Sequence, residues 1–317
     1  MSIKRDDPLI GQLFISADQK ELSYQELVNE MLKADIVYLG ENHDNADHHQ
    51  NQLRIIKDLV DKGKKPRLGF EFFSVDQTGY LMSFVSQKES KHPVKVTREK
   101  EDQLRKDLGW QDRPDSVWQF YFRFVDFAAK NGLTVFGADV PKGILDRVTW
   151  NGIDQLTAVE KDFLKPSGFE DSAYRDLMFD KFKAAHCGYA HEKMMEKMYQ
   201  TWLVRNDVMA YSIAEMFKEN NQEPVVVILG KGHVEHNMAV FERVKTSIPT
   251  IKQLNLGFLE ISIEPSKLEE YFLSEKVGER TFLPSHEFVW FTQRASYEDP
   301  CKKFHKALSR MKKQQTK

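Results

Sequence analysis

Asp35-Ile36-Val37-Tyr38-Leu39-Gly40-Glu41-Asn42-His43-Asp44-Asn45-Ala46-Asp47-His48-His49 is the stretch on which the fold turns. Its first residues are apolar and partly β-branched, as in a buried strand, and they stop at a glycine followed at once by Glu, Asn, His and Asp. Beyond it Leu53, Ile56 and Val60 recur at helical spacing, Asp44 or Asn45 can accept from first-turn amides, and Gly63 closes the run. Strand, polar turn and helix make half of a βαβ unit. In an open α/β sheet, ligands bind outside the carboxyl ends of the strands, which makes Glu41, His43, His48 and His49 candidates for function. The bland alternative is that Glu41 and Asp44 serve the next helix and the histidines are solvated.

The pattern recurs. Arg67-Leu68-Gly69-Phe70-Glu71-Phe72-Phe73 reads as a strand carrying a carboxylate, Leu133 to Val140 as another ending at Asp139, and Pro224 to Leu229 as a fourth that runs into Gly230-Lys231-Gly232-His233. Parallel strands would gather Glu41, His43, Glu71, Asp139 and His233 along one edge. Two histidines with several carboxylates suit either a divalent metal or metal-free acid/base chemistry, and spacing leaves both open. The His-Glu-x-x-His motif is absent, and Gly230 and Gly232 do not have phosphate-loop spacing.

Between these strands lie helical signals. Ser23 and Glu26, and again Ser74 and Gln77, have capping-box spacing. Residues 87–113 are charged and read as an excursion from the sheet. Residues 114–130 place Val117, Trp118, Phe120, Tyr121, Phe122, Phe124, Val125 and Phe127 on nearly every face of a helix, which must then be buried or cover a flat apolar ligand. Residues 142–192 are mixed and helical, with turns at Asn151-Gly152 and Pro166-Ser167-Gly168. A long helix from about His191 to Asn220 carries Asn206 in an apolar stripe between Arg205 and Asp207, the setting for a buried polar network. Strands are expected at 253–263 and 288–292. The expected architecture is α/β: a mainly parallel central sheet flanked by helices in one domain over 1–317, with a helical cap subdomain from insertions at 87–130 and 142–192 and a C-terminal extension over 253–317.

The 317 residues carry 46 basic and 48 acidic side chains, net charge -2, and so no electrostatic footprint for nucleic acid. Cys187 and Cys301 are the only cysteines, which argues against a disulfide framework and for a reducing compartment. No run of about 18 apolar residues exists and Met1 to Pro8 lack a signal-peptide pattern, so the sequence as written is expected to be soluble and cytoplasmic.

Five motifs occur in order: Gly40-Glu41-Asn42-His43-Asp44-Asn45 with His48-His49; Gly69-Phe70-Glu71-Phe72-Phe73 with Gln77; His186-Cys187-Gly188; Arg205-Asn206-Asp207 ahead of Met209-Ala210; and Gly230-Lys231-Gly232-His233. Together they resemble the ChaN family of haem-binding, iron-regulated proteins, within the wider Tiki and erythromycin-esterase superfamily. The resemblance spans about residues 9–245. It implies non-covalent haem held between paired subunits, a role in iron or haem uptake, and a hydrolase-type polar site at Glu41, His43, Glu71 and His233. Family members are commonly envelope lipoproteins with an N-terminal signal, which this sequence lacks. Tyr189 and His191, beside the His-Cys-Gly motif, are the candidate axial ligands. The alternative function is a hydrolase, with or without a divalent metal, acting on an ester, lactone or peptide.

Overall fold

The structure, a computed structural model, describes residues 6–86, 97–264 and 266–302. In chain order the elements are β1 (Leu13–Ile15), β2 (Lys20–Glu21), α1 (Tyr24–Met31), β3 (Ile36–Glu41), α2 (Ala46–Asp61), β4 (Arg67–Ser74), α3 (Thr78–Val85), α4 (Arg98–Asp107), α5 (Asp115–Asn131), β5 (Val135–Asp139), α6 (Lys142–Asn151), α7 (Ala158–Phe163), α8 (Ser172–Ala185), α9 (Glu192–Glu219), β6 (Val225–Gly230), α10 (Val240–Ser247), β7 (Gln253–Glu260), β8 (Lys276–Val277), β9 (Arg280–Thr281) and β10 (Phe288–Thr292). Part of the charged 87–113 excursion, residues 87–96, lies outside the described residues.

An eight-stranded sheet runs in the order β2-β1-β10-β7-β3-β6-β4-β5. From β10 to β5 every neighbouring pair is parallel, and β1 joins β10 and β2 antiparallel at the edge. This is the mostly parallel α/β sheet expected. Alternation along the central strands sorts the core: Val37, Leu39, Val226 and Ile228 face α2, α3 and α5, while Ile36, Tyr38, Val227 and Leu229 face α9 and α10. The described residues that open the expected C-terminal extension are part of this framework, because β7 lies directly against β3.

Local signals account for the element ends. The Ser23–Glu26 capping box is formed at α1, the Ser74–Gln77 box starts a turn leading into α3, and Asn45 accepts from Asp47 and His48 amides at the start of α2. Gly132 ends α5 at φ +63°, where a side chain would be strained. The segment of α6, α7 and α8 builds smaller apolar clusters against α9, around Val148, Leu164 and Val204 and around Tyr174, Met178 and Tyr199.

One expectation is corrected. Cys187 and Cys301 are joined in a disulfide across 114 residues of sequence, with Cα atoms 5.7 Å apart. Only the tertiary fold brings the turn after α8 to the C-terminal segment, so spacing gave no sign of it. The compartment inferred from free thiols loses its support with it.

Candidate functional site

Glu41 ends β3, Glu71 sits in β4, Asp139 ends β5 and His233 follows β6 by one tight turn, so parallel topology places all four at the carboxyl edge. The register pairs Glu41 with Gly230. Gly230 must be small there: a Cβ would lie 3.0 Å from His43 Nε2 and 3.2 Å from Glu71 Oε2.

These groups touch. His43 Nδ1 is 2.9 Å from Glu41 Oε1, and the Tyr121 hydroxyl donates to the same oxygen at 3.2 Å. His43 Nε2 lies 3.9 Å from Glu71 Oε1, and His233 Nε2 approaches that oxygen to 3.3 Å from the other side. Glu71 also accepts from the Gly230 amide and, at 2.7 Å, from Arg205 Nη2. Arg205 grips Asp139 through Nε at 2.9 Å and through Nη2. His233 Nδ1 meets Asn206 Oδ1 at 2.8 Å, and its ring stacks on Trp202 with centroids 4.1 Å apart. Arg205, Asn206 and Asp207 thus form the polar interruption of α9. The first two serve the strand ends, while Asp207 pairs with buried Arg243 at 2.6 Å.

Electrostatics divides the labour. Burial opposes charge on Glu71, but His233, Arg205 and His43 outweigh it and hold the carboxyl well below the usual range. Glu71 is therefore fitted to orient neighbours, and is a poor proton acceptor near neutrality. Burial likewise opposes charge on His43, yet its hydrogen bond to Glu41 and the fields of Glu71 and Glu41 prevail and raise it. His233 is lowered, chiefly by burial and against the pull of Glu71. Burial raises Asp139, with Arg205 opposing. His43 is half exposed while Glu41, Glu71 and His233 are buried, so His43 is the basic group that solvent or a substrate can reach.

It opens into a cleft of about 820 Å³, walled by Phe72, Trp110, Phe120 and Tyr121 and bordered by Asp44, Arg113 and Lys142. The aromatic helix α5 is mostly core, as Trp118 and Phe124 are, and it also turns Val117, Phe120 and the buried Tyr121 to the cleft. Among the described residues, no group of three or more His, Cys, Asp or Glu is arranged to hold a metal ion.

The other predicted residues do not line the cleft. His48 is fully buried and spans two elements: Nδ1 accepts from the Asn42 amide at 2.9 Å and Nε2 meets Thr292 Oγ1 at 2.8 Å. His49 is buried against Glu41, with Nδ1 3.1 Å from Oε2. Tyr189, 61 % exposed, and His191, the N-cap of α9, sit on the turn between α8 and α9 and are not among the residues lining the cleft. Sequence reasoning did not find the contacts of Tyr121, His49 and Arg205. Arg205 alone left a sign, as a charge beside Asn206 in an apolar stripe.

A parallel sheet with carboxylates and imidazoles gathered at its carboxyl edge defines the class. The chain belongs to the ChaN family of haem-binding uptake proteins in the Tiki superfamily, whose model matches residues 27–244. Among solved structures it is similar to ChaN of Campylobacter jejuni, described for cofacial haem binding, at 17 % identity and a TM-score of 0.63, covering 88 % of this chain and 95 % of that one. A mutant erythromycin esterase, EreC, in its open conformation aligns at 13 % identity and a TM-score of 0.46 over 80 % of this chain and 77 % of that one. At these identities the likeness to ChaN of C. jejuni is one of fold. No curated protein matches the chain by sequence.

Proposed function

We propose that this protein binds haem on its helical face, with Tyr189 or His191 as axial ligand and a second copy of the chain covering the macrocycle, in haem or iron uptake or handling. Family membership over residues 27–244 is the observation that carries it. The donor chemistry fits: a phenol and an imidazole two residues apart on one turn are both iron ligands. One exposed aromatic ring lies beside α9: Trp150 of α6, 73 % exposed, whose backbone carbonyl accepts from Lys197 Nζ of α9 at 2.6 Å. An exposed ring of this kind is what a bound flat cofactor and a symmetric partner would cover. When bound, haem would supply the iron, and the protein would supply the ligand and the apolar seat. Hemin titration should give a shifted Soret band that changes again in Tyr189→Phe or His191→Ala. An identical band in both variants sinks the ligand assignment, and sedimentation as a monomer with and without hemin sinks the pairing.

A second function is favoured by the strand-end geometry: hydrolysis of an ester, lactone or peptide, with or without a divalent metal. Here His43, oriented by Glu41, takes a proton at Nε2 from water in the cleft, and Glu71, His233 and Arg205 fix the surrounding charge. His43→Ala and Glu71→Ala should each lower turnover of a responsive substrate by about 100- to 10,000-fold in assays run with and without Mn²⁺ or Zn²⁺. Turnover surviving both changes would mark the strand ends as structural.

A further inference from the structure

Glu41 faces two imidazoles, one on each side. Its Oε1 serves His43 and Tyr121 on the cleft side, while its Oε2 lies 3.1 Å from His49 Nδ1, which reaches in from α2. Among the described residues, neither Oε2 nor Nδ1 has a hydrogen-bond partner, and both atoms are buried. The other nitrogen of that ring, His49 Nε2, is 3.1 Å from the backbone carbonyl of His43. A carbonyl only accepts, so Nε2 carries a hydrogen. If Nδ1 were bare beside an ionised Glu41, two lone pairs would face each other in a dry site, an arrangement as costly as a buried unpaired polar group. One proton therefore belongs to the gap between them.

We propose that His49 is a positioning residue of the strand-end site: it shares a proton with Glu41 and, through that carboxylate, sets how readily His43 takes up a proton from the cleft. The use of this coupling rests on the hydrolytic reading above, whereas its existence requires no substrate. A separate groove of about 400 Å³ between α2 and α5 is lined by His49, Arg54, Lys57, Asp58, Asp61 and Arg123, among others, although the His49 side chain itself is buried. Phe120 stacks on the ring with centroids 4.5 Å apart. Glu41 thus joins a ring that borders the cleft to one that borders the groove. The charged or titratable groups facing His43 are Glu41 from β3, Glu71 from β4 and Arg205 from α9, and those facing the Glu41–His49 pair include His43, His48 and Tyr121.

The sign follows from sharing. With His49 present, the charge of Glu41 is divided between two rings. Without it, the carboxylate serves His43 and Tyr121 alone, and His43 protonates more easily. Histidine-selective ¹⁵N NMR on the full chain should show the His43 midpoint rising by about 1 pH unit in His49→Gln, which keeps an amide donor for the His43 carbonyl, and in His49→Phe, which keeps the stack on Phe120. A His43 midpoint unmoved in both folded variants overturns the proposal. The wild-type protein tests it without substitution: a bare, pyridine-like His49 Nδ1 together with an ionised Glu41 ¹³C signal overturns it equally. Coupling found in a protein that hydrolyses nothing would remove the hydrolytic reading and leave the proton sharing. Hydrolysis without coupling would do the reverse.

Discussion

At Gly257 the missing side chain is what admits His286. The imidazole lies so close over the β7 backbone that a Cβ at 257 would come within 2.1 Å of its Cδ2. His286 is buried and its Nδ1 meets Asn255 Oδ1 at 3.0 Å, so the ring cannot swing away without leaving Asn255 short of a partner. Gly257→Ala should therefore cost about 2–3 kcal/mol of stability through overpacking. His286→Ala should cost a similar amount through the cavity it leaves. The double variant should be more stable than the sum predicts, because the added methyl then occupies vacated space. Urea unfolding of the four proteins measures this, and strictly additive losses would show that the two residues do not compete for the same volume.

Along α9, three consecutive residues point to three different tasks because successive positions on a helix turn by about 100°. Arg205 reaches Asp139 and Glu71, Asn206 reaches His233, and Asp207 reaches Arg243 and, at 2.6 Å, the Ser167 hydroxyl. The sequence made the helix and the buried polar position legible, since Asn206 breaks an apolar stripe. It made the strand ends legible too, because each β-rich run stops at a glycine, a carboxylate or a histidine and parallel strands share an edge. What stayed hidden depends on elements crossing in space. Tyr121 reaches Glu41 only because α5 passes over the sheet edge, and His49 meets Glu41 only because the first turn of α2 folds back along β3. The partner of Cys187 was hidden for the same reason. A histidine in a first helical turn also looks solvated in sequence, whereas His48 and His49 are held inward by Phe258 and Phe120.

Across the whole molecule, buried imidazoles and carboxylates make stability depend on pH in two steps. His48 is held well below its ordinary titration range by burial, with Lys231 and His49 adding to it, and burial lowers His286 to about 3. In the unfolded chain both titrate near 6.5, so between pH 7 and pH 5 the unfolded state binds more protons and stability falls as the pH is lowered. At pH 5.5 the loss is about 1.4 kcal/mol for each ring, or about 3 kcal/mol for the pair. His43, whose affinity for a proton is raised, acts in the opposite direction, but its half-exposed ring is screened by solvent. The carboxylates enter lower. Burial opposes ionisation of Glu41, Glu71 and Glu235, yet their partners prevail and hold all three down, Glu235 to about 2. Their stabilisation is complete above about pH 4.5 and disappears as the pH falls through their folded values, so it adds a second decline below the first. Thermal or urea unfolding at pH 7.5, 6.5 and 5.5 should show the first decline, to which the lowered His233 adds, and His286→Ala should remove about 1.4 kcal/mol of it at pH 5.5 although the variant starts from a lower stability. A wild-type curve that is flat from pH 7.5 to 5.5 would mean that these rings reach solvent and protonate in the folded state, and that the interior at the carboxyl edge is wetter than its packing indicates.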